Sequence, residues 1–133
     1  LGRLETPVTY AGWVPVNRLP AYFDRADVAI YPFDDTLVNR TKCAVKLLDL
    51  LAAGVPVVAE AVGQNTAYIQ HGESGWLVPA GDVAAFADGV TCMLQDVSLR
   101  RRLGQAAARC VRAYFSWERL VTVVEEAYAA GAQ

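Results

Sequence analysis

Apolar residues follow two rhythms along this chain. Some runs are short and nearly continuous, such as Val28-Ala29-Ile30-Tyr31 and Val57-Val58-Ala59, as strands covered on both faces require. Between them apolar positions return every three or four residues, the spacing of helices with one buried side. The pattern predicts a strand over 7–12, then a helix over 17–25 with Leu19, Tyr22 and Phe23 on its apolar side. A second strand over 27–31 is stopped by Pro32-Phe33-Asp34-Asp35, and 36–44 reads as a polar loop. A helix over 45–53 turns Val45, Leu48, Leu51 and Ala52 inward, ends at Gly54, and hands over through Pro56 to a strand at 57–59. A short helix at 66–70 and a strand at 75–78 follow. Asp82 caps a helix to Gln95 with Phe86, Val90, Met93 and Leu94 on one side. Ser98 caps the next, with Leu99, Leu103, Ala106 and Cys110 as its stripe, and Ser116 caps the last, with Leu120, Val124 and Tyr128 inward. Strands alternating with helices imply parallel βαβ units and an α/β sheet.

The stretch 42–59, with Gly63 beyond it, is the most informative. It reads as loop, helix, tight turn and buried strand, the order of a nucleotide-binding crevice in an open α/β sheet. N–H groups at the helix start can meet phosphate oxygens. Asp49, further along the helix, can accept hydrogen bonds from ribose hydroxyls. Gly63-Gln64-Asn65 follows the strand, and a residue without Cβ lets backbone come close to a ligand; the same residues also suit a helix start capped by Asn65. Glu60 stands at the strand's C-terminal end, where α/β sites gather.

The run from Lys46 to Asp82, KLLDLLAAGVPVVAEAVGQNTAYIQHGESGWLVPAGD, resembles a known pattern. That pattern is Lys-Leu-x-Glu-x-x-Ala-x-Gly-x-Pro-Val-Val-Ala, a Gly loop, then His-Gly-x-x-Gly-x-Leu-Val-Pro-x-Gly-Asp. It belongs to the donor-binding, C-terminal half of GT-B glycosyltransferases of the group 1 or family 4 type. The resemblance covers residues 8–82, and the helical tail is compatible with it. It implies a Rossmann-like parallel sheet flanked by helices, and a nucleotide-diphosphate sugar as substrate, with no cofactor and no bound metal. The complete half begins with one more strand and helix carrying a Gly-rich turn. Neither is present here, so 1–133 is expected to be a single partial domain with an open sheet edge that a second copy could pair with. Starting at Leu1 rather than Met, it reads as a fragment whose acceptor domain lies elsewhere.

The resemblance implies roles residue by residue. Asp49 stands where the family has a ribose-binding Glu, one methylene shorter. Eight residues earlier a second Glu is common, and Thr41 takes its place. The segment Arg40-Thr41-Lys42-Cys43-Ala44-Val45-Lys46 instead looks like the Arg-x-Lys-Cys-x-x-Lys loop of some members. Arg40 and Lys42 would offset a diphosphate's charge, helped by the N–H groups of Cys43, Ala44 and Val45; Lys46 could instead pack its stem along the helix. Gly63 and Gln64 would lie near the donor sugar or its phosphate, and Trp13 near the nucleobase unless it simply packs.

Composition narrows the picture. The chain has 133 residues, enough for one domain that buries about two-thirds of its unfolded surface. Hydrophobic content of 54% excludes disorder, and a net charge of −2 gives no global pull toward nucleic acid or anionic membrane. No apolar run approaches the ~18 residues of a membrane span, so a cytoplasmic enzyme is expected. Arg100, Arg101, Arg102, Arg109 and Arg112 make the later helices locally basic, either a solvated face or a peripheral contact with anionic lipid at the inner face of a membrane. Cys43, Cys92 and Cys110 are too few and too far apart for a disulfide framework or a zinc site. The one histidine, His71, lies in a Gly-flanked turn and makes a poor base for Cys43. Asp34 and Asp35 read as turn formers before they read as an acid–base pair. A receiver or flavodoxin-like module, or a GT-B nucleotide-sugar epimerase, are the alternatives; a receiver would want a Lys after a late strand, and none follows Val58 or Val78.

Overall fold

The structure, a computed structural model, describes residues 7–131. Three parallel strands form one sheet: β1 (Ala29–Tyr31), β2 (Val57–Glu60) and β3 (Trp76–Val78), in that spatial order. Ile30 pairs with Val58, and Ala59 with Leu77. Before, between and after them lie α1 (Leu19–Phe23), α2 (Leu37–Thr41), α3 (Val45–Ala52), α4 (Asn65–Tyr68), α5 (Val83–Gln95), α6 (Val97–Tyr114) and α7 (Trp117–Gly131).

The central strand organises the core. Side chains alternate across a strand, so Val57 and Ala59 join Ala44, Leu47, Leu51, Tyr68, Ile69, Ala107 and Val111 on one face. Val58 turns to the other face, against Met93 of α5 and Leu103 of α6. Every residue of β2 is buried, the apolar Val57-Val58-Ala59 run as well as the Glu60 that ends it.

Three expectations about the elements need correction. Residues 7–12 form no strand: they are exposed, and no described residue pairs with them. A strand needs a ladder neighbour, and β1 already bonds β2 on its one occupied side. The expected loop at 36–44 contains α2, started by Thr36, whose hydroxyl accepts the Asn39 N–H. In α4, Asn65 is not the cap but the first helical residue; it is buried and its Nδ2 donates to the Glu60 carbonyl.

Helix phases also differ. In α3 the inward stripe is Ala44, Leu47 and Leu51, while Val45 is 58% exposed and Ala52 lies outside. A shift of one residue rotates a helix by about 100°, and the apolar residues on both sides of α3 left the phase ambiguous. Asp96, not Ser98, caps α6, accepting the Leu99 N–H at 2.9 Å. Its deepest face is Leu103, Gly104, Ala107, Ala108 and Val111, next to the expected Ala106 and Cys110. In α5 the cap is Asp82 as expected, but Leu94 points outward, and Gly89 is buried against the Trp76 indole. Ser116 accepts the Arg119 N–H at the start of α7, yet no residue of that helix is buried, Leu120, Val124 and Tyr128 included. Nothing among the described residues covers it.

Candidate functional site

The predicted residues fall into two groups near α3: Asp49 and Trp13 in one groove, and Arg40, Lys42, Cys43, Gly63 and Gln64 about the loop that leads into the helix. Ala44 is its N-cap and carries no side-chain oxygen, so the first-turn N–H groups have no side-chain partner. Such groups present partial positive charge to whatever lies before the helix. Asp49 follows Val45 by four residues, about 6 Å along the axis at 1.5 Å per residue.

Asp49 is exposed and lines a groove of about 490 Å³ with Lys46, Leu50, Tyr31, Phe23, Leu19, Val16, Val14, Gly12 and Trp13. The structure thus brings Trp13, Lys46 and Asp49 to one concavity. Trp13 is 94% exposed, so among the described residues nothing packs over its indole. Tyr31, Leu19 and Phe23 supply apolar walls that spacing alone could not assign to a site. Burial holds the Tyr31 phenol above its ordinary pKa, so it stays protonated. A larger groove between α5 and α6, lined by Asp88, Thr91, Gln95 and Ser98 among others, contains none of the predicted residues.

Arg40, Lys42 and Cys43 sit differently. The Arg40 guanidinium makes a two-point ion pair with Asp35, Nε to Oδ1 at 2.6 Å and Nη2 to Oδ2 at 2.8 Å. That hydrogen bond holds the Asp35 carboxyl below its ordinary range and raises Arg40. Asp35 is therefore a partner of Arg40, while the Asp34 carbonyl accepts from the Asn39 amide in the same turn. The Lys42 ammonium stands 5.3 Å from the centre of the Phe33 ring, a cation–π contact. Thr41 bonds back to the Leu37 carbonyl and offers no substitute for the carboxylate common at its position.

Gly63 and Gln64 reach the same loop from the other side. Gly63 has φ +51°, and the space its missing side chain leaves is taken up by the carbonyls of Asn39 and Arg40, each 2.7 Å from where a Cβ would stand. Its close approach is thus to α2. Gln64 accepts the Tyr68 hydroxyl at 2.8 Å, and Cys43 Sγ lies 3.7 Å from the same oxygen. Since the phenol's one proton goes to Gln64, the Cys43 thiol is the donor to Tyr68. Burial first, and Cys43 second, push the Tyr68 pKa up to about 12. Tyr68 was absent from the predicted set; it joins the Gly63-Gln64 loop to the start of α3.

The remaining candidates have structural partners. His71 Nδ1 accepts the Leu77 N–H, and its ring lies edge-on to Trp76. Arg100 donates to the Met93 and Leu94 carbonyls and pairs with Asp27, and Arg102 donates to the Gly72 carbonyl. Arg101, Arg109 and Arg112 are exposed on α6. Cys43, Cys92 and Cys110 are free thiols. Among the described residues no helix is long and apolar enough to cross a membrane.

Residues 1–96 match the family model described as Glycosyl transferases group 1. The chain is 38% identical over 127 residues to the phosphatidyl-myo-inositol mannosyltransferase of Mycobacterium leprae, covering 96% of this chain and 33% of that one. It is 32% identical over 121 residues to a GDP-mannose-dependent alpha-(1-6)-phosphatidylinositol monomannoside mannosyltransferase of Mycobacterium tuberculosis, covering 85% of this chain and 30% of that one. Among solved structures it resembles sucrose-phosphate synthase from Thermosynechococcus elongatus, with a TM-score of 0.70 and 30% identity over 92% of this chain and 30% of that one. The chain therefore spans about a third of the length of these relatives.

Proposed function

From a chain that belongs to the glycosyl transferases of group 1 and has the fold of a GT-B C-terminal domain, we propose a domain that binds a nucleotide-diphosphate sugar. The whole enzyme would transfer the sugar to an acceptor hydroxyl in glycan, polysaccharide or glycolipid synthesis. Membership of this family sets aside the receiver, flavodoxin-like and epimerase readings.

One observation carries the site: Asp49, Lys46 and Trp13 share a groove one turn along α3 from its uncapped start. In this reading the diphosphate lies before Cys43, Ala44 and Val45, with Lys42 beside it. The ribose reaches Asp49, and the base lies against Trp13. Gly63 and Gln64 border the sugar end. Fixed N–H dipoles and a nearby ammonium stabilise charge as it builds on the departing diphosphate, which is often a large catalytic contribution. Arg40 serves mainly to fold its own loop through Asp35. No cofactor and no metal enter this account. The acceptor and any base acting on it belong to another domain, so the 133 residues alone bind donor weakly and turn nothing over.

Two finer features belong to the same proposal. The exposed Arg101, Arg109 and Arg112 face anionic lipid in the full-length enzyme, which works on the cytoplasmic side of a membrane. The outer edge of β1, where Ile30 is 59% exposed, accepts a further strand, from the rest of the enzyme or from a second copy.

Calorimetry with UDP and GDP on the parent chain and Asp49→Ala tests the site. The substitution should weaken binding by about 1.5–3 kcal/mol, the worth of hydrogen bonds to a charged group, with the circular dichroism spectrum unchanged. Equal affinities would remove Asp49 from the site.

A further inference from the structure

A buried carboxylate with no part in the chemistry above ties the loops around the site together. Glu60 ends β2 and is only 9% exposed. Its Oε2 accepts the Phe33 N–H at 2.5 Å, and its Oε1 accepts the Gly81 N–H at 2.8 Å. Phe33 lies in the loop after β1, and Gly81 in the loop after β3. Because β2 is central, one side chain reaches sideways in both directions across the rim. Its backbone carbonyl also accepts from Val62 N–H and from Asn65 Nδ2, at the start of the Gly63-Gln64 loop and of α4.

The chemistry selects a glutamate here. Two N–H donors approach from opposite sides, and a carboxylate offers each its own acceptor oxygen. A glutamine would turn an NH₂ toward one of the donors. An aspartate, one methylene shorter, could not span both loops.

The Phe33 end of this brace leads to Lys42. The Phe33 ring packs 4.9 Å from that of Tyr31, and the Lys42 ammonium stands over it at 5.3 Å. We propose that Glu60 is a positioning residue for diphosphate binding: it fixes the Phe33 backbone, so that the ring holds the Lys42 ammonium beside the start of α3. The proposal rests on the donor-site reading above for the role of Lys42.

The test uses this chain, carbon-13 NMR of the lysine side chains, and calorimetry with inorganic pyrophosphate and GDP. In the parent chain the Lys42 ε-methylene protons should be shifted upfield by the Phe33 ring. In Glu60→Gln that shift should collapse toward the free-lysine value, and affinity should fall about three- to tenfold, the worth of a cation held in place. The double variant Glu60→Gln/Lys42→Gln should bind no more weakly than Lys42→Gln alone. A brace that served stability only would lower the melting temperature, leave the Lys42 signal in place and add its effect to that of Lys42→Gln; that result overturns the proposal. Phe33→Leu keeps the backbone N–H for Glu60 and removes only the ring. It should reproduce the loss of affinity, and parent-like binding there overturns the proposal even if Glu60→Gln does not fold. If Lys42→Gln binds pyrophosphate and GDP as tightly as the parent, the donor-site reading fails instead. The Lys42 signal in Glu60→Gln then decides by itself whether Glu60 holds that ammonium.

Discussion

Gly104 of α6 lies so close to the carbonyl oxygen of Gly54 that no Cβ fits between them. Gly54 ends α3 with φ +77°, a conformation open to glycine at little cost, and Gly104 is the flat place on α6 that receives this turn. The contact seats α3 on α6, and so sets where Asp49 and the start of α3 stand relative to the sheet.

Gly104→Ala should therefore destabilise the fold, although alanine is the better helix former. Overpacking against backbone costs about 1–3 kcal/mol, more than the gain of up to about 1 kcal/mol from helix propensity. Urea unfolding followed by circular dichroism gives the comparison. A variant as stable as the parent would mean that α6 sits further from the turn than described.

Tyr68 supplies a pH dependence. Its pKa lies at about 12 against an ordinary 10.0, raised chiefly by burial. A group held protonated in the fold lends stability in full below pH 10, and that stability drains away as pH rises from 10 through about 12. Absorbance titration at high pH should show a late tyrosinate phase that Tyr68→Phe removes. The same variant should flatten the alkaline fall in stability. A parent chain with no late phase would show the Tyr68 hydroxyl to be solvated.

Apart from α2, the order of elements from β1 to α6 was legible because continuous apolar runs and Gly or Pro stops are local signals. The helix expected over 45–53, the turn at Gly54 and the strand expected at 57–59 needed nothing from elsewhere in the chain, and the structure has α3 over Val45–Ala52 and β2 over Val57–Glu60. Residues 7–12 were misread because strand formation depends on a neighbour, which a short local segment cannot reveal. Helix phase failed where both sides are apolar: Val45 and Leu47 are near-equal candidates until α6 chooses between them. In the site, Asp49 and Trp13 were legible by type and order, and both line one groove with Lys46, for which the sequence suggests instead a stem packed along the helix. The pairing of Arg40 with Asp35 was not, because it depends on α2, a helix of five residues with a weak pattern. The reach of Glu60 to Phe33 and Gly81 was equally hidden, since it joins positions 27 and 21 residues away. A charged residue closing the apolar run of β2 was the only trace of it.

The most direct measurement is a nitrogen-15 NMR titration of this chain with GDP and with UDP. The account predicts that the amides of Cys43, Ala44 and Val45 move most, with Asp49 and the Trp13 indole N–H following at the same ligand concentrations. Stationary signals at the start of α3, together with movement confined to the groove between α5 and α6, would contradict it.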